Sequence, residues 1–168
     1  METWEAIRTL RAVRRYEDRP IRPEDLEAIV DAGRRAPSSM NLQRWAFVTS
    51  TDRATLEALA TLGPYTGHVG AAAATVALIT PQGRDDDERE SIAFDLGQAM
   101  QNMLLAAWDR GIGGSHASPA DPHLAREVLG YPEGWRCDHL LALGYPLRPP
   151  AREGRRKPLA DVLHRERW

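Results

Sequence analysis

Trp4, Ile7 and Leu10 recur three residues apart with Ala6 beside them, which predicts a short amphipathic helix over 3–11 with a narrow apolar stripe. Pro23, with Glu24 and Asp25 behind it, predicts a second helix start. Leu26, Ile29 and Val30 carry its inward face until Pro37 stops it. A polar loop then leads into the apolar run of a strand over 45–50. Thr51 or Asp52 caps a third helix whose Leu56, Leu59 and Ala60 face inward before Gly63-Pro64 ends it. The stretch 65–70 reads as loop. The stretch 71–74 is open between a helix end and a strand start, and 75–80 reads as a buried strand.

The longest helix is predicted over 91–110. Ile92, Leu96, Ala99, Met103 and Ala107 mark one face, and Phe94, Met100 and Leu104 broaden it, so the helix needs cover on most sides. Glycines at 111, 113 and 114 terminate it ahead of a strand near 115–117. A short helix follows from Pro122 to Leu129, closed by Gly130, then a strand over 139–144 and a final helix over 158–164. Strand spacing is irregular and the helices fall in pairs. That favours an α+β sandwich over a regularly alternating α/β wind, within one domain spanning 1–168.

Composition narrows the class. With 42% hydrophobic and 27% charged residues over 168 positions, the chain is neither disordered nor fibrous. A net charge of −2 advertises neither nucleic acid nor an anionic membrane. One cysteine, Cys137, excludes an internal disulfide framework. The N-terminus lacks the pattern of a signal peptide, and the apolar run 69–79 is far short of a bilayer span, so a cytoplasmic location is expected.

Several chemistries are absent by motif. There is no P-loop and no Gly-x-Ser-x-Gly nucleophile elbow. The five histidines show no zinc spacing, and the carboxylates of 82–90 read as a solvated acidic loop, so no metal is expected. Cys137 reads as a structural thiol and His116 as a core or loop histidine. Three polar islands remain: Arg11, Arg14 and Arg15; Ser38, Ser39, Asn41 and Gln43; and the glycine break at 111–114. Each has an ordinary reading as a solvated helix end, a helix-to-strand loop or a helix stop. Together they suit an elongated ligand with a phosphate at one end and a heteroaromatic ring at the other.

Arg11-x-x-Arg14-Arg15-Tyr16 and the later Ala36-Pro37-Ser38-Ser39-x-Asn41-x-Gln43-x-Trp45-x-Phe47-Val48 strongly resemble the FMN-dependent nitroreductase family. Asp95-Leu96-Gly97-Gln98, Gly111-Ile112-Gly113, Leu143-Gly144-Tyr145-Pro146 and the ending from Arg156 to Trp168 agree with it in order along the chain. The resemblance implies an α+β, three-layer nitroreductase-like sandwich: a mixed sheet flanked by helices, in an intertwined homodimer with FMN at the subunit interface. It implies that Arg11, Ala12 and Arg14 approach the phosphate and pyrimidine side of the flavin. Pro37, Ser38, Ser39, Asn41 and Gln43 would be offered by the other subunit. Gly113 and Gly114 would lie near the reactive edge, and Arg156 would reach the phosphate. Many members carry arginine where this chain has Leu10, Ser or Asn where it has Ala12, and Pro where it has Arg44. The short region 81–91 is expected to leave the substrate face open.

The expected activity is that of an FMN-dependent oxidoreductase. Electrons would pass by ping-pong from NADH or NADPH to a nitroaromatic, a quinone or another electron-poor acceptor. The flavin N5 would carry the hydride, so no catalytic side chain is expected. The alternative is a flavin-binding or flavin-storage protein without robust NAD(P)H reductase activity, motivated by Leu10, Ala12 and Arg44. A nucleic-acid module resting on the arginine-rich tail 148–157 is a weaker third reading, opposed by the net charge.

Overall fold

The computed structural model describes residues 1–148 and 156–168; Arg152 and Arg155 of the arginine-rich tail lie outside them. In chain order the elements are α1 (Thr3–Thr9), α2 (Pro23–Arg34), β1 (Ala46–Ser50), α3 (Arg53–Ala60), β2 (Ala74–Pro81), α4 (Asp86–Asp109), β3 (Gly113–Ala117), α5 (Ala125–Leu129) and β4 (Trp135–Gly144). Single turns of 3-10 helix occur at Ser39–Asn41, Gly67–Ala71 and Leu159–Asp161. The last replaces the final helix expected over 158–164.

The four strands form one sheet in the order β1-β2-β4-β3, and every pairing between them is antiparallel. The expected mixed sheet is therefore corrected: among the described residues the one parallel pairing is an isolated bridge between Ala12 and Gly114. β2 and β4 are the inner strands. Seven consecutive residues of β2 are buried, as a strand covered on both faces requires.

Helices cover both faces, which makes three layers. On one side Leu26 and Ile29 of α2 and Leu96, Met103 and Ala107 of α4 pack with Val76, Leu78, Leu141 and Leu143. On the other, Leu56 and Leu59 of α3 and Ala125 of α5 pack with Ala77, Ile79, Leu140 and Ala142. Burying each such leucine stabilises the fold by roughly 1.5–3 kcal/mol.

Two helices differ from the expected pattern. α4 begins at Asp86, capped by the Asp85 carboxylate, which accepts from the Glu88 N–H at 2.8 Å. Half of the acidic stretch read as loop is thus a first helical turn, where negative charge suits the macrodipole. In α1 the small Ala6 is buried, whereas Trp4 is 70% and Ile7 50% exposed. The apolar stripe of α1 faces away from the body of its own chain.

Cys137 is fully buried, and burial together with the neighbouring Asp138 charge pushes its thiol up to about 12. It should stay unmodified by Ellman's reagent at pH 8 in folded protein and titrate as one thiol per chain only after denaturation.

Candidate functional site

Residues 11–16 are held as an extended strap across the start of β3 and the exit of β4. The Val13 N–H donates to Gly114 O at 3.0 Å, the Glu17 N–H to Tyr145 O at 2.8 Å, and the Leu147 N–H to Arg15 O at 3.0 Å. The Tyr16 hydroxyl, buried beneath the strap, donates to Val13 O at 2.7 Å. Val13 and Tyr16 point inward, while Ala12, Arg14 and Arg15 are exposed. The tight fit depends on missing side chains. A Cβ at Gly113 would lie 2.5 Å from Val13 Cγ2, and one at Gly144 would lie 2.7 Å from Tyr16 Cδ1. Gly114 is closed in by Leu104 and Leu143, each 3.0 Å from its ideal Cβ. These glycines therefore have a packing reason independent of any ligand.

The strap brings Arg11, Ala12 and Arg14 alongside Gly113 and Gly114. The Arg11 guanidinium turns back on α1: its Nη1 donates to Arg8 O at 2.8 Å and Leu10 O at 2.7 Å, on orphan carbonyls of the helix end. Its Nε is buried without a partner. Arg14 has no ion pair among the described residues. His68, from the 3-10 turn, approaches Ser115 O with its Nε2 at 3.5 Å. Burial lowers its pKa, and the positive Arg14 and the nearby His116 lower it further, so the imidazole is held neutral beside the strap. His116 and His139 meet edge to face at 5.9 Å, and Ser118 Oγ lies 3.0 Å from His139 Nδ1.

The second cluster is the loop after α2. Met40, Asn41 and Gln43 have φ of 50°, 57° and 49°, a left-handed backbone at three non-glycine residues of four. Within the loop the Gln43 N–H donates to Ser38 Oγ at 3.0 Å, and the Gln43 amide donates to Asn41 Oδ1 at 3.2 Å. Pro37 and Asn41 are exposed; Ser38 and Ser39 are half-buried. The loop is tied to α4 by Asp95, 2% exposed, whose two carboxylate oxygens each accept from the Ser39 N–H at 3.1 Å. Arg44 joins the same anchor. It donates to Ser91 Oγ at 2.7 Å and Glu88 Oε1 at 3.3 Å, and its Nη2 lies 3.6 Å from Asp95 Oδ2.

The structure thus gathers the predicted residues into two clusters. Arg11, Ala12, Arg14, Gly113 and Gly114 lie near the C-terminal end of α4. Ser38, Ser39, Asn41 and Gln43 lie with Asp95 in its N-terminal half. Arg156 is exposed and joins no ion pair among the described residues. Asp95 and Ser39 sit about 20 Å along the helix axis from the turn where β3 begins, at 1.5 Å per residue. Cavities of about 520, 1040 and 560 Å³ are present, and none is lined by any of these residues. Sequence reasoning missed His68, which stood in a stretch read only as loop, and the role of Asp95. Glu88, Ser91 and Asp95 are spaced i, i+3, i+7, a polar stripe on one helix face that could have marked the anchor. Among the described residues no group of His, Cys, Asp and Glu could hold a metal, and no helix is long and apolar enough to cross a membrane.

The likeness to known proteins is whole-chain. The family model "Nitroreductase family" matches residues 7–62 and 61–145. An Archaeoglobus fulgidus protein, provisionally named an NADH dehydrogenase or NAD(P)H nitroreductase, is 31% identical over 174 residues, 99% of each chain. The NADPH-flavin oxidoreductase of Vibrio harveyi is 30% identical over 179 residues, 99% of this chain and 74% of that one. Among solved structures, nitroreductase A of Vibrio parahaemolyticus superposes with a TM-score of 0.88 at 28% identity, covering all of this chain and 77% of the other. The Vibrio harveyi NADPH:FMN oxidoreductase complexed with NAD+ superposes at 0.87 and 28% identity, over 99% and 77% of the two chains. With its three-layer fold, its strap and its loop on α4, the chain belongs to the nitroreductase family.

Proposed function

We propose that the protein is an FMN-dependent NAD(P)H oxidoreductase, one domain over 1–168, acting in the cytoplasm as a homodimer. One chain's 11–14 strap and its partner's 37–43 loop would enclose each flavin. The observation that carries this reading is the separation of two complementary half-sites on one chain. Each is open, and no cavity described above joins them, so a second copy is the simplest way to complete a pocket. The exposed apolar residues Trp4, Ile7, Met40, Leu42 and Phe94 supply surface for such an association.

The residues present fit the cofactor. Arg11 Nε is a buried donor without a partner and Arg14 is a cation without an ion pair among the described residues, and both suit a phosphate. Arg156 would add a further cation. The amides of Asn41 and Gln43 and the hydroxyls of Ser38 and Ser39 suit the donors and acceptors of a flavin pyrimidine. Bound FMN would supply the redox chemistry, taking hydride from NADH or NADPH and passing electrons to an electron-poor acceptor such as a nitroaromatic or a quinone. The protein's part is to bind the phosphate, fix the ring and leave one face for donor and acceptor in turn. No side chain is assigned as a catalytic acid or base.

A composite site has a distinctive test. Asn41→Ala should weaken FMN retention while leaving the dimer folded. Arg14→Ala should do the same from the other half-site. Co-expressed and isolated as mixed dimers, the two variants should recover one tight site per dimer, because both lesions then fall in the same pocket. Mixed dimers with no tight site would contradict shared pockets.

A further inference from the structure

We propose that Arg44 is a positioning residue for the cofactor. Its guanidinium, held by Glu88, Ser91 and Asp95 of α4, would keep the loop 38–43 in the backbone conformation that meets the flavin. The inference rests on the flavin reading above and adds to it a residue outside the loop's own donor set.

Three left-handed non-glycine residues within 40–43 make this loop costly to hold. Its internal hydrogen bonds, such as Asn41 N–H to Ser38 O at 2.9 Å and Gln43 N–H to Ser38 Oγ at 3.0 Å, all run between residues of the loop itself, and Met40 at its tip is 86% exposed. The constraint comes from α4. Asp95 grips the Ser39 N–H with both oxygens, at the turn that precedes the strained residues. A carboxylate this buried needs a cation, and Arg44 supplies it from the other end of the loop. The Arg44 side chain is only 15% exposed, and its contacts to Ser91 and Glu88 fix it in place. The loop is therefore clamped at both ends, at Ser39 and at Arg44, through one shared carboxylate. Loss of the Arg44 charge would leave the buried Asp95 without its cation, whereas Glu88 keeps its ion pair with Arg84 at 3.0 Å. The Ser39 anchor would then loosen, and the loop would lose the conformation of Met40, Asn41 and Gln43.

The test measures FMN binding to apo-protein by quenching of flavin fluorescence, with thermal melting of the same samples by circular dichroism. Arg44→Met should raise the FMN Kd by about tenfold or more, and Asp95→Asn should raise it as well. The double variant Arg44→Met/Asp95→Asn should bind no more weakly than the poorer single variant, since both act through one contact. Arg44→Lys, which restores the charge without the fork, should recover part of the affinity. An unchanged Kd in Arg44→Met would overturn the proposal, as would effects that multiply in the double variant. Should Arg44→Met fail to fold, Arg44→Gln removes the charge while keeping a hydrogen-bonding side chain and leaves the bond from Ser91 Oγ to Ser39 Oγ at 3.0 Å in place; a raised Kd there supports the clamp and an unchanged one overturns it. Wild-type protein that takes up no FMN would instead overturn the flavin reading itself, a result that cannot be confused with the others.

Discussion

Gly113→Ala should destabilise the protein by about 1–3 kcal/mol, the usual cost of overpacking a tight contact, and should abolish retention of FMN. The added Cβ would stand 2.5 Å from Val13 Cγ2 and 2.7 Å from Val13 Cβ. Val13 cannot yield by rotating, because its own Cβ is one of the clashing atoms. The strap must lift, and lifting it breaks the hydrogen bond from the Val13 N–H to Gly114 O at 3.0 Å. Arg11, Ala12 and Arg14 ride on that strap, so a substitution that touches no ligand would still dismantle the proposed phosphate end of the site. The double variant Val13→Gly/Gly113→Ala removes the obstructing atoms and should regain FMN affinity relative to Gly113→Ala. Melting curves and FMN titrations of both would settle the point; an undisturbed Gly113→Ala protein would show that the strap is not seated as described.

Asp95→Ala should be the most damaging single change in the other half-site, costing about 3–5 kcal/mol, the scale for breaking a buried ion pair by removing one partner. Asp95 is 2% exposed and carries both the Ser39 N–H and the Arg44 guanidinium. Deleting it takes the carboxylate acceptor from the Ser39 N–H and leaves Arg44 with Ser91 and Glu88. Asp95→Asn keeps the shape and one acceptor for Ser39, so it should lose markedly less stability. Denaturant unfolding of the two variants provides the comparison, and equal losses would show that the acceptor kept for the Ser39 N–H contributes nothing to the anchor.

Much of this architecture was legible from residue spacing, and the exceptions have identifiable causes. The strands near 45–50 and 75–80 stand where their apolar runs place them, and the one near 115–117 follows the glycine break, because short segments bounded by turn residues are a local signal. β4 starts at Trp135 instead of 139, since polar Arg136 and Asp138 interrupt the apolar pattern there. Asp138 is also the extra residue of a bulge opposite Leu78 and Ile79. Strand direction was not local: the order β1-β2-β4-β3 and its antiparallel pairing join strands far apart in the chain, which no window of sequence reports. The apolar stripe of α1 was legible as a stripe but not its outward direction, because period alone does not say which way a face turns.

The site shows the same division. Arg14, the 38–43 loop and the glycines were visible as residue types, but their grouping into two clusters required the fold. Arg44 looked like a disruption of the loop. Its partners lie 44 to 51 residues further along the chain, so its role as an anchor could appear only in three dimensions. Arg11 divides its donors in a way the sequence does not report: Nη1 is spent on the end of its own helix, while Nε is left without a partner.

The central claim is that two copies of this chain enclose FMN and reduce it with a nicotinamide. It is tested most directly by the visible spectrum of the purified, FMN-reconstituted protein, taken before and after anaerobic addition of NADH and of NADPH. The expected result is a yellow protein with one FMN per chain, whose flavin absorbance bleaches with at least one of the two donors. A yellow protein that neither donor bleaches would favour flavin storage over reductase activity, and a colourless protein that takes up no FMN would contradict the account.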